Sequence, residues 1–106
     1  MSDLSALKKR REQPLFADWK GNVPDEGVQA SQSCVRQLID DLIALGEAPD
    51  EDAARAMVAA CVGRFNELDD GWITTIERED IADAIASVVE LAGFEFDEDW
   101  IGDREW

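Results

Sequence analysis

Apolar side chains recur at steps of three and four along most of this chain. Val28, Ser31, Val35, Leu38, Leu42 and Leu45 fall on one face, and Cys34 and Ile39 widen it. That period predicts an amphipathic helix. Asp25 is its expected N-cap, with Glu26 in the first turn, and Gly46 suits the left-handed position that ends it. A second helix is expected from about Asp50. Asp50, Glu51 and Asp52 favour the positive end of its dipole, and Ala54, Met57, Val58, Cys61, Phe65 and Leu68 form its stripe. Asp69-Asp70-Gly71 ends it. A third helix is expected after Thr74 or Thr75. Thr74 with Glu77 makes a capping box, Ile76 a staple, and Ile81, Ala84, Ile85, Val88, Val89 and Ala92 the apolar face before Gly93.

Outside these helices the pattern changes. Residues 3–12 predict a short helix with Leu4 and Leu7 on one side and bases on the other, stopped by Pro14. The stretch from Leu15 to Pro24 has two aromatics among Gly, Asn and Pro, and reads as a loop pinned to the helical body by Phe16 and Trp19. No segment alternates over the length of a strand. The expected fold is all-α, a single domain over 1–106. An N-terminal arm (1–24) precedes a three-helix bundle (25–93) and an acidic tail containing tryptophan (94–106).

Charge sharpens the picture. The chain has 25 Asp and Glu against 10 Lys and Arg, a net charge of -15, and no histidine. Four of the ten bases are contiguous at Lys8, Lys9, Arg10 and Arg11. Hydrophobic content of 45% is too high for a disordered acidic segment, so the acid is displayed on a folded body. Such a surface repels nucleic acid and anionic membranes and attracts basic proteins. The basic run reads as a patch complementing the acidic body or as a solvated helix end. Without an apolar run near membrane length or a signal-like N-terminus, the expected location is cytoplasmic.

The residues absent exclude much chemistry. No imidazole base, nucleophile–His pair or His metal ligand exists, and the seven glycines lie singly, without a phosphate loop. Cys34 and Cys61 both fall on helix stripes and read as buried free thiols. The chain is therefore not expected to be an enzyme, with no catalytic residues, metal or cofactor. Residues 66–77 resemble a calcium loop, with Asn66, Asp70, Gly71, Ile73 and Glu77 at fitting positions. Leu68 occupies a position that must supply an oxygen, and it continues the preceding stripe. A helix end and tight connection accounts for the same residues.

The tail stands out. Residues 95–106 hold six acids, one arginine and two tryptophans. Tryptophan is the residue most enriched at binding hot spots, and acids steer a basic partner. The candidate partner-binding residues are Asp97, Glu98, Asp99, Trp100 and Trp106, then Asp69, Asp70 and Trp72. Trp100 and Ile101 folding back over the bundle is the competing account of the tail. Asp40, Asp41, Glu79, Asp80 and Asp83 read as solvated helix faces, which is also the competing account of Asp69 and Asp70.

Several segments together carry a resemblance: Leu15-Phe16-Ala17-Asp18-Trp19, Leu42-Ile43-Ala44-Leu45-Gly46-Glu47, Phe65-Asn66-Glu67-Leu68, Thr75-Ile76-Glu77-Arg78-Glu79-Asp80-Ile81 and the acidic tail ending in Trp106. Over roughly residues 15–106 the chain resembles the small acidic immunity proteins of bacterial polymorphic toxin systems. The resemblance implies an antitoxin that binds one cognate toxin domain stoichiometrically and occludes its active site. The motifs are structural, so no binding residue is transferred by it. Two other readings are a DNA-mimic inhibitor of a nucleic-acid-binding protein and a divergent calcium-binding helical module.

Overall fold

The computed structural model describes residues 4–13, 15, 16, 19, 23–46, 50–68, 73 and 75–102. Four α-helices run in the order α1 (Leu4–Glu12), α2 (Asp25–Ala44), α3 (Glu51–Leu68) and α4 (Thr75–Leu91). A 3-10 turn, Glu98–Ile101, follows. No β-strand occurs among the described residues. The all-helical expectation holds.

α2 is the hub, packing against α1, α3 and α4, while the 3-10 turn packs on α3. The buried residues of α2 are Ser31, Cys34, Val35, Leu38, Ile39 and Leu42, all on the predicted stripe. Every member of the α4 stripe from Ile81 to Ala92 is also buried. In α3 the buried set is Ala54, Val58, Cys61, Val62 and Phe65. Val62 lies off the expected stripe. It is enclosed because α3 is covered on two sides, by α2 and by the 3-10 turn, so its buried arc is wider than one seam.

One helix start corrects an expectation. Pro24, not Asp25, occupies the N-cap position of α2, and no side chain caps it. The Pro24 carbonyl accepts the first helical bond, from the Val28 N–H at 3.0 Å. Asp25 is the first helical residue, where its carboxylate favours the dipole without bonding a free N–H. Thr75 is the first residue of α4, in keeping with a helix that begins after Thr74. Thr74 and the side chain of Ile76 lie outside the described residues. Asp50 does cap α3: its Oδ2 accepts from the Ala53 N–H at 3.2 Å.

The C-terminal stops behave as expected. Gly46 has φ +90° and Gly93 φ +97°, a region that disfavours other residues. At the end of α4 the Phe94 N–H reaches back to the Val89 carbonyl at 3.2 Å, the long bond of a Schellman motif.

The arm is tied down by polar contacts. Arg11 of α1 grips Asp40 of α2 with Nε at 2.7 Å and Nη2 at 3.2 Å, a bidentate pair. Arg36 donates to the Arg11 carbonyl at 3.4 Å, satisfying a free acceptor at the end of α1. Phe16 stacks on Trp19 with ring centroids 4.1 Å apart. The Trp19 indole N–H donates to Asp80 of α4 at 2.8 Å. The aromatics therefore pin this segment to the body. Asp40 and Asp80 are not simply solvated acids, and Asp41 accepts from Gln37 at 2.8 Å. No helix among the described residues is long and apolar enough to cross a membrane.

Candidate partner-binding site

The C-terminal segment is built from one buried aromatic. Trp100 is only 4% exposed and Ile101 2%. The Trp100 indole N–H donates to the Glu95 carbonyl at 3.2 Å, and its ring lies 5.6 Å from that of Phe94. Asp97 starts the turn in extended backbone, and its Oδ1 accepts from the Asp99 N–H at 2.9 Å. The ring therefore faces the chain's own core. The neighbouring carboxylates Asp97, Glu98 and Asp99 are exposed. Trp100 offers no free anchor to a partner in this arrangement. What it does is fix where those three acids stand.

Where they stand is the finding the sequence did not show. The Arg55 guanidinium of α3 sits over the Trp100 ring, 4.3 Å from its centroid. The same guanidinium approaches Glu51 with Nε 3.4 Å from Oε2. Arg55 thus joins the acidic start of α3 to the acidic turn, although they are more than forty residues apart. Asp50, Glu51, Asp52, Glu95, Asp97, Glu98 and Asp99 are all exposed, and Arg55 is the base that links the two groups. The cation spreads its charge over a ring face on one side and one carboxylate on the other. The signal available from sequence was the pairing rule itself: a buried indole in an acidic run needs an N–H acceptor and favours a cation on its face.

Asp69, Asp70, Trp72 and Trp106 lie outside the described residues. So do parts of the resemblance to a calcium loop: α3 continues helically through Asn66 and Leu68, and Asp70 and Gly71 are beyond the description. Glu77 is 6% exposed, inside the first turn of α4. No group of three metal-ligating side chains occurs among the described residues.

Among the described residues, open grooves flank the helices. One, of about 550 Å³, is lined by Ala6, Lys9, Arg10, Gln13, Ser87 and Leu91. Its bases sit at the last turn of α1, where they offset the negative helix end. Another, of about 290 Å³, is lined by Asp25, Val28, Gln29 and Gln32. The titrations that depart from ordinary behaviour lie elsewhere. Arg11 is raised by its hydrogen bond to Asp40, and burial raises the Cys34 and Cys61 thiols.

Comparison with protein-family models, with curated proteins and with solved structures finds no match to the chain.

Proposed function

We propose that this protein is an immunity-type inhibitor that binds a basic protein partner, a cognate toxin domain, through the acidic face where α3 meets the C-terminal turn. One observation carries the reading. The Arg55–Trp100 contact gathers exposed carboxylates from two distant segments onto one surface, with Trp100 and Ile101 fixing it to the core. A pre-ordered anionic face loses little entropy on docking and steers a cationic partner from a distance. The same charge disfavours direct binding of nucleic acid or an anionic membrane.

In this reading Asp97, Glu98 and Asp99 contact the partner, with Glu51 and Asp52 beside them. Trp100 acts by positioning, not by contact. Asp69, Asp70, Trp72 and Trp106 remain candidate contacts from the sequence. The resemblance to immunity proteins supports the choice of a toxin as partner, and the charge supports its basic character.

The test uses calorimetry with the product of the neighbouring gene, beside a growth-rescue assay. One-to-one binding that weakens steeply with salt is expected, with rescue of cells making the toxin. Replacing Asp97, Glu98, Asp99, Glu51 and Asp52 with their amides flattens the salt dependence and weakens binding at least tenfold. Binding by the amide variant with unchanged affinity and salt slope would remove this face from the interface.

A further inference from the structure

The bases that close α1 divide into two kinds. Arg11 pairs with Asp40 and ties the arm to the body. Lys9 and Arg10 form no ion pair among the described residues, although the chain carries 25 acids. Arg10 reaches only the Gln13 amide oxygen, at 3.5 Å. Both cations line the groove of about 550 Å³, where α1 supplies Ala6, Lys9, Arg10 and Gln13 and α4 supplies Ser87 and Leu91. The α1 residues recur at steps of three and four, so one face of that helix forms a wall. No carboxylate is in the lining. The exposed acids nearest along the two helices, Glu12, Asp83 and Glu90, stay outside it. Offsetting the helix dipole accounts for a base at this helix end, but it leaves the hydrogen-bond donors of both cations open to a ligand.

We infer that this groove binds a small organic phosphate of about the size of a nucleoside monophosphate. Its volume falls within the range of about 300–1,000 Å³ that holds such molecules. The Arg10 guanidinium can donate two parallel bonds to phosphate oxygens, and the Lys9 ammonium adds a point charge beside it. The Gln13 amide and the Ser87 hydroxyl supply neutral polar contacts. Ala6 and Leu91, both half-buried, give the organic part an apolar surface. The net charge of -15 sets the upper size. Beyond a screening length of about 8 Å a longer polyanion leaves the two cations and meets the acidic body. The groove is also separate from the acidic face, because α1 packs on α2 and α4 while the C-terminal turn packs on α3.

The test titrates adenosine monophosphate into the isotope-labelled full-length chain and follows amide shifts by NMR. Saturable shifts are expected in α1 and from Ser87 to Leu91, with the amides of α3 and the C-terminal turn unmoved. Inorganic phosphate should shift the same amides with weaker affinity, and adenosine without phosphate should shift none. Lys9→Met and Arg10→Met should each weaken binding by about fivefold, the loss of one partly exposed charge-assisted hydrogen bond. Lys8 is exposed and outside the lining, so Lys8→Met removes the same charge and should leave affinity unchanged. Circular dichroism checks that each variant is folded. The inference is overturned if adenosine monophosphate produces no saturable shift, or if adenosine alone reproduces it. An equal loss in Lys8→Met and Lys9→Met would reduce the site to diffuse charge and overturn it as well. Tighter binding of a single-stranded oligonucleotide at the same amides would assign the groove to nucleic acid and overturn the small ligand.

Discussion

On one flank α3 meets α2 through Val58, Cys61 and their neighbours, a dry seam in which a thiol bonds to a backbone carbonyl. On the other it meets the 3-10 turn through Arg55 and Trp100, a contact between a cation and a ring edged by carboxylates. The first flank depends on many apolar contacts repeated at helical spacing, each modest and all mutually reinforcing. The second depends chiefly on Trp100, with Ile101 beside it, and has no repeat. Stability therefore resides on the α2 side. The position of the acidic face depends on Trp100 and Ile101 on the other side.

The largest test of that contrast is in the hub. Leu38 is fully buried in α2. Leu38→Ala should cost about 4 kcal/mol by lost transfer energy and a residual cavity. Urea denaturation followed by far-UV circular dichroism should show one cooperative transition at a lower midpoint. A change confined to residues 94–102 would contradict the role of α2 as hub.

Trp100→Ala comes next, at about 3 kcal/mol. Its signature should be local. Hydrogen exchange should rise from Phe94 to Gly102 and at the first turn of α3, while the amides of α2 and α4 stay protected. Binding to the basic partner should fall with it, although every carboxylate is still present. Retained binding in a chain whose turn has opened would show that the acids work without the order Trp100 imposes.

How far these two flanks are visible in the sequence differs in the same way. The α4 stripe from Ile81 to Ala92 is legible because one face is buried along one helix, so burial follows the helical period. Val62 was missed because covering α3 from two sides widens its buried arc beyond a single stripe. The bond from Trp19 to Asp80 and the contact of Arg55 with Trp100 join residues far apart in the chain. Neither leaves a periodic trace. Asp97, Glu98 and Asp99 could be singled out from composition. That Arg55 ties Glu51 to the turn could not, because the turn's placement on α3 is a tertiary fact.

Alkaline pH separates the flanks without a mutation. Burial, above all, pushes the Cys61 thiol up from 9.0 to about 12. The folded chain keeps that proton where the unfolded chain, near pH 9, releases it. Rising pH therefore favours unfolding. The contribution is intact below about pH 9 and is lost between there and about pH 12. At pH 11, two units beyond the unfolded value, the loss is roughly 2.7 kcal/mol. Urea midpoints from pH 8 to 11 measure it. Cys61→Ala should abolish this part of the slope, and Trp100→Ala should leave it in place. An equal slope in the Cys61→Ala chain would mean the seam is not as dry as its burial indicates.

The smallest effect concerns the link itself. Arg55 makes two contacts, the ring of Trp100 at 4.3 Å and Glu51 at 3.4 Å. The ion pair is partly exposed and in water contributes less than about 1 kcal/mol. The cation–ring contact is of similar size, about 0.5–1 kcal/mol. Salt tells them apart, because it screens the pair with Glu51 far more than the contact with a buried ring. Arg55→Met keeps the stem over the indole and removes both, for about 1 kcal/mol in total. A double-mutant cycle with Trp100→Phe isolates the ring term. A coupling energy that persists in high salt places the join on Trp100. A coupling that vanishes with salt would mean that the acidic start of α3 and the acidic turn are held together by screened charge alone. The carboxylates of the two segments would then be free to separate.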